Sequence, residues 1–133
     1  MTEQPLKKLL LLIEDNPLLI GMYKAAFEKA GIDVLLAHDG EKGLTLAKEQ
    51  TPDLIVLDLL MPGMDGLEIL KRLRDDPTTK ELKIVVLTIV ARAEAEEHAR
   101  RLGVLDYLVK SELKLHEIVE RIIQLLYRPD GAI

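Results

Sequence analysis

Five short apolar runs, each the length of a strand and each followed by a stretch of helical periodicity, constrain this 133-residue chain more than any other feature. The runs are Leu9 to Ile13, Val34 to Ala37, Leu54 to Leu57, Ile84 to Leu87 and Tyr107 to Val109. After the first, Leu19, Met22, Tyr23, Ala26, Phe27 and Ala30 recur at threes and fours as the buried face of a helix. Gly31 ends that helix, and Asn16 and Pro17 suit its N-cap and first position. Similar signals run from Glu41 to Glu49, Gly66 to Leu73, Ala91 to Leu102 and Leu113 to Leu126. Continuous apolar strands alternating with helices predict a parallel sheet covered on both faces, joined by right-handed crossovers. In such a sheet, ligands bind beyond the carboxyl ends of the strands.

The length suits one domain over residues 1–133, with a core of about 7–127 and a C-terminal tail over 128–133. The apolar run behind Lys7 and Lys8 is cut short by Glu14 and Asp15. It is too short for a signal peptide's apolar region or a membrane span and fits a strand buried on both faces. No other segment is long enough to cross a membrane, so a cytoplasmic protein without membrane contact is expected. The formal net charge of −5 offers no broad basic footprint, so direct nucleic-acid binding is not expected. With no cysteine, disulfides, thiol nucleophiles and cysteine-ligated zinc are excluded, leaving oxygen and nitrogen chemistry. The charged stretch Arg92 to Arg101 mixes both signs and fits a solvated helix face.

Polar residues gather where the strands end: Glu14 and Asp15 after the first, Asp58 after the third, Thr88 after the fourth and Lys110 after the fifth. Singly, each has an ordinary explanation as a cap or a solvated side chain. Together they fall on one edge of the sheet. Three carboxylates at adjacent strand ends repel one another unless a cation sits among them. An all-oxygen set without His or Cys suits magnesium or manganese, and magnesium commonly binds one or two carboxylates alongside phosphate. The pattern therefore fits a metal and phosphoryl site in which a carboxylate forms an aspartyl phosphate. Thr88 has the hydroxyl to bond a phosphoryl oxygen, and Lys110 the compact positive charge to meet another.

The segments Leu-Leu-Ile-Glu-Asp-Asn-Pro (11 to 17), Pro-Asp-Leu-Ile-Val-Leu-Asp-Leu-Leu-Met-Pro-Gly-Met-Asp-Gly (52 to 66), Val-Leu-Thr (86 to 88) and Asp-Tyr-Leu-Val-Lys (106 to 110) carry a resemblance. Through them the chain, from about Lys7 to Tyr127, resembles the response-regulator receiver family of two-component signalling, in its stand-alone form. The resemblance implies a flavodoxin-like, doubly wound (βα)5 fold with a five-stranded sheet of order 2-1-3-4-5. It implies Asp58 as phosphoacceptor and metal ligand, Asp15 as a direct ligand of Mg2+ (or Mn2+), Glu14 holding a metal-bound water, and a further contact from the Leu60 backbone carbonyl. It also implies switch roles for Thr88 and Tyr107, with Tyr107 turning inward as Thr88 moves, and Lys110 as the conduit for the charge change. Such a protein catalyses only its own phosphorylation and dephosphorylation.

The sequence departs from the family pattern at Ser111, where a proline is common, and at Ile89, where a small residue is usual. Pro62, Gly63, Asp65 and Gly66 read as a tight loop after Asp58. Leu18 and Ile20 read as exposed apolar residues beside the buried stripe of the first helix, where a histidine kinase or histidine phosphotransferase would dock. The face of the fourth helix, fifth strand and fifth helix would meet an unknown downstream protein or a second copy.

Three other readings compete. An aspartyl-phosphate hydrolase usually carries a second acid two residues after its nucleophile, and here that position is Leu60. A flavodoxin-like electron carrier would need a Ser/Thr-rich phosphate loop after the first strand and aromatics to flank a flavin. A receiver serving as a phosphorylation-independent scaffold or dimerisation module would keep the acidic residues but lose the signal.

Overall fold

The computed structural model describes residues 7–129; of the expected tail, residues 130–133 lie outside the described residues. Five strands form one sheet: β1 (Leu9–Ile13), β2 (Asp33–Ala37), β3 (Leu54–Leu57), β4 (Ile84–Thr88) and β5 (Asp106–Val109). Their order is β2-β1-β3-β4-β5, every pairing parallel, as the resemblance implied. The helices α1 (Pro17–Lys29), α2 (Gly40–Gln50), α3 (Gly66–Asp75), α4 (Ala93–Arg101) and α5 (Leu115–Tyr127) cover both faces. Alternate residues of the strands point to opposite faces and seed two cores. Leu11, Ile13, Ile55, Leu57 and Val86 pack against α2 and α3 side chains, whereas Leu10, Leu12, Val56, Val85 and Leu87 pack against Tyr23 and Phe27 of α1 and Ile118 and Ile122 of α5.

The central strands β1, β3 and β4 are almost wholly buried, so the continuous apolar runs have their expected cause. As an edge strand, β2 is only partly covered. Its register places Ala37 beside Ile13, and Glu14 N–H donates to the Ala37 carbonyl (3.0 Å) while Asp58 N–H donates to that of Ile13 (3.1 Å). The ladder hydrogen bonds thus run one residue past each strand end and fix where the two acids stand.

The buried stripe of α1 differs from the expected one. Ile20, Tyr23 and Phe27 are buried, whereas Met22 and Ala30 are exposed. Ile20, expected outside, is only 6% exposed, and Leu18 is 72% exposed. The apolar triplet Leu18-Leu19-Ile20 spans more than half the helix circumference, so spacing alone does not say which member faces in. Asn16 fixes where the helix begins, its side chain accepting from Leu18 and Leu19 N–H (3.0 and 3.1 Å), but which face turns inward is decided only when α1 packs on the sheet.

Other boundaries shift as well. Lys110–Glu112 forms a short 3-10 turn, and α5 starts at Leu115 rather than Leu113, where Glu117 accepts from Lys114 N–H (2.8 Å). After β3 the chain makes a ribbon of its own, Leu60–Met61 antiparallel to Met64–Asp65 across Pro62 and Gly63, with Gly63 at φ 72°. Gly66 closes it: a Cβ there would stand 2.3 Å from Leu59 Cα, next to Asp58.

Candidate acidic and phosphoryl site

The strand ends bring Glu14, Asp15 and Asp58 together, one carboxylate oxygen from each lying within 4.8 Å of the others. Glu14 and Asp58 are buried and Asp15 is partly exposed. Lys110, at the end of β5, spans the cluster from the far side of the sheet. Its Nζ donates to Glu14 Oε1 (2.6 Å) and to Asp58 Oδ2 (2.9 Å). Burial by itself would push the Lys110 ammonium down, but hydrogen bonds and charge from Glu14 and Asp58 outweigh it and hold the pKa above the ordinary lysine value.

The remaining oxygens are held by backbone. Glu14 Oε2 accepts from Asp15 and Asn16 N–H (3.1 Å each), and Asp58 Oδ1 accepts from Leu60 N–H (3.0 Å). Among the described residues, none donates a hydrogen bond to the Asp15 carboxylate. The donor set fits a hard divalent cation: three converging oxygens, no nitrogen or sulfur ligand, and one carboxylate left free for it.

Thr88 ends β4 fully buried, one strand from Asp58, where its Oγ1 accepts from Val90 N–H (3.3 Å). The resemblance implied that Tyr107 turns inward as Thr88 moves. It is already inward: the ring is buried and the hydroxyl donates to the Val90 carbonyl (2.7 Å). Burial raises its pKa, so the hydroxyl stays a donor at neutral pH. One peptide segment around Val90 is thus tied at its N–H to Thr88 and at its carbonyl to Tyr107. Both ties use the Val90 backbone, so no side-chain type at position 90 signals them in the sequence. The Pro62-Gly63 pair did carry a turn signal, from which the tight loop after Asp58, though not its ribbon, was readable. Ser111 sits in the 3-10 turn, so the chain leaves Lys110 compactly without a proline.

Leu60 and Ile89 are 52% and 56% exposed beside these acids, and Ile89 shares a groove with Leu19, Met22, Tyr23 and Lys110. Ile20, expected as a docking residue, does not reach this surface, being packed beneath α1.

The family model for the response regulator receiver domain matches residues 10–123. The chain belongs to the response regulator receiver family of two-component systems. The receiver is 36% identical over 121 residues to the "DNA-binding dual master transcriptional regulator RpaA" of Synechocystis, covering 91% of this chain and 50% of that protein. It thus spans half the length of that relative. It is 32% identical over 103 residues to the polar-differentiation response regulator DivK of Brucella anthropi, covering 77% and 84% of the two chains. Among solved structures it matches the phosphorylated cyanobacterial phytochrome response regulator RcpA at 28% identity with a TM-score of 0.80, covering 96% and 98%. No described helix of the receiver is long and apolar enough to cross a membrane.

Proposed function

We propose that Asp58 accepts a phosphoryl group from a histidine kinase or histidine phosphotransferase, assisted by Mg2+ or Mn2+, and that the modification switches partner binding. The observation that carries this reading is the convergence of Glu14, Asp15 and Asp58 with Lys110 bridging the two buried acids. The phosphorylated state named for RcpA supports it.

In this reading an Asp58 oxygen attacks phosphorus, the O–P bond forms, the donor's N–P bond breaks, and the departing imidazole nitrogen takes up a proton. Asp15 and Asp58 would hold the cation directly and Glu14 through a water, with the Leu60 carbonyl as a further ligand. The cation, when bound, neutralises charge building on the phosphoryl oxygens. Lys110 exchanges its Asp58 oxygen for a phosphoryl oxygen and so carries the charge change to β5. Leu18 remains an exposed apolar residue of α1 suited to the donor. The face of α4, β5 and α5, where Asp106 pairs with Arg100 and Arg121, serves a downstream protein or a second copy.

Intact-mass measurement with acetyl phosphate and magnesium tests the chemistry. One phosphoryl group is expected on the wild type and none on Asp58→Asn; a gain that persists in the variant, or is absent from the wild type, refutes the assignment.

Switching is separable from chemistry. A ligand shifts a conformational equilibrium only by what it binds better in one state, and the Thr88 hydroxyl is the group that must leave Val90 N–H to meet a phosphoryl oxygen. Thr88→Ala should accept the phosphoryl group yet lose most of the NMR shift changes at Val90 and Tyr107. Equal changes in variant and wild type would count against this coupling.

A further inference from the structure

At the opposite end of the sheet, one cation holds two loops. Arg74, in the last turn of α3, donates from Nε to the Leu102 carbonyl (2.7 Å) and from Nη2 to that of Gly103 (3.1 Å). Its Nη1 donates to the carbonyls of Lys80 (3.0 Å) and Leu82 (2.7 Å). Leu102 and Gly103 leave the C-terminal end of α4, and residues 80–82 lead into β4. No carboxylate faces the guanidinium at ion-pair distance among the described residues. Burial lowers its pKa, but an arginine remains charged, and the α4 carbonyls suit a cation at a helix C-terminus. A planar fork reaching both loops is a task that lysine's single ammonium cannot do.

The other end of α4 is held far less. Its N-cap, Arg92, makes no side-chain capping bond, and the helix buries only Ala95 and Ala99. Its Arg100–Glu96 and Arg101–Glu97 pairs lie within the helix and travel with it. On the approach to that end, the side-chain bonds are those of Val90 to Thr88 and Tyr107.

We propose that Arg74 is the hinge pin of α4: it fixes the C-terminal end against α3, so that release of Val90 swings the N-terminal end instead of displacing the whole helix. The proposed phosphorylation of Asp58 supplies only the trigger, and the hinge itself exists without it. Arg74 acts through α4 and is a positioning residue, not a catalytic one.

Hydrogen exchange of the unphosphorylated full chain tests the hinge independently of any phosphodonor. In the wild type the Leu102 and Gly103 amides, bonded to Ala99 and Arg100 carbonyls, should exchange at least about tenfold more slowly than the Glu96 amide, bonded to Arg92. Arg74→Met should erase that gradient by speeding Leu102 and Gly103, while amides of β1 and β3 stay as they were. Arg74→Lys, which keeps the charge without the fork, should fall between. A flat profile in the wild type, or a gradient that survives Arg74→Met, overturns the proposal. So does a uniform rise that includes β1 and β3, because Arg74 would then be a general stabiliser. If the gradient behaves as expected while Asp58 takes no phosphoryl group, the hinge stands and the reading of the acidic site falls.

Discussion

Phosphoryl loss from Asp58 is expected to quicken by about tenfold or more when Leu60 becomes Asn or Val90 becomes Glu, and to a smaller degree when Ile89 becomes Ala. Hydrolysis needs a water in line with the phosphorus; its oxygen bonds to phosphorus as the bond to Asp58 breaks and phosphate departs. A polar side chain beside the site can orient that water, and an aliphatic one cannot. Here the residues that follow Asp58 and Thr88 are apolar, and Leu60 and Ile89 stand about half exposed rather than buried in the core. Ile89 also leans into the groove shared with Lys110, adding bulk on the approach. Each ~1.4 kcal/mol of positioning is a factor of ten in rate, so one well-placed carboxamide or carboxylate suffices for the effect. The check is the rate of phosphoryl loss at saturating magnesium in the wild type and the three variants. If none loses phosphate faster, shielding by these side chains does not set the lifetime.

Lys110→Met should cost the metal-free protein ~3 kcal/mol, the scale for removing one partner of a buried ion pair. The lysine is the cation that neutralises Glu14 and Asp58, both of which are buried. Without it, the cluster holds three carboxylates and no counter-charge, so relief comes from a divalent cation or from protonation of one acid. Magnesium should therefore restore much of the lost stability and bind the variant more tightly than the wild type. Asp15→Asn should do the reverse, easing repulsion in the apo protein while weakening the metal. The pH sign follows from the raised Lys110 pKa. A folded-state value above the unfolded one stabilises fully below the ordinary lysine range and is lost as pH rises through the folded value, so the comparison belongs at neutral pH. Denaturant titrations in chelator and in magnesium decide the matter. A variant as stable as the wild type in chelator, or one indifferent to magnesium, would refute the counter-ion role.

Much of the fold was legible because apolar period and strand length respond to burial, which is what a parallel sheet imposes on its central strands. Leu9–Ile13 and Leu54–Leu57 were read to the residue, since each run is bounded by charge or by Asp and Pro. The start of α1 was legible from Asn16 and Pro17, whose geometry suits one helix position each. The acids were legible for a topological reason: in a doubly wound sheet, residues just after β1, β3, β4 and β5 share one edge wherever they lie in the chain.

What failed shows where local information ends. Ile20 was expected outside and is inside, because three consecutive apolar residues leave the helix phase open until α1 is packed on the sheet. The Tyr107 hydroxyl finds the Val90 carbonyl, a partner that spacing could not name because any residue at position 90 could offer it. Arg74 was unremarked among the charges of α3, since its four carbonyl partners come from two loops that meet only in the folded chain. By itself the sequence determined the order of elements, the parallel sheet and the set of polar residues at its carboxyl edge, because these follow from periodicity and chain direction. Tertiary structure alone decided that Lys110 bridges Glu14 and Asp58, that Val90 joins Thr88 to Tyr107, and that Arg74 pins α4. Each of those links depends on distances between segments remote in the chain, which no local pattern encodes.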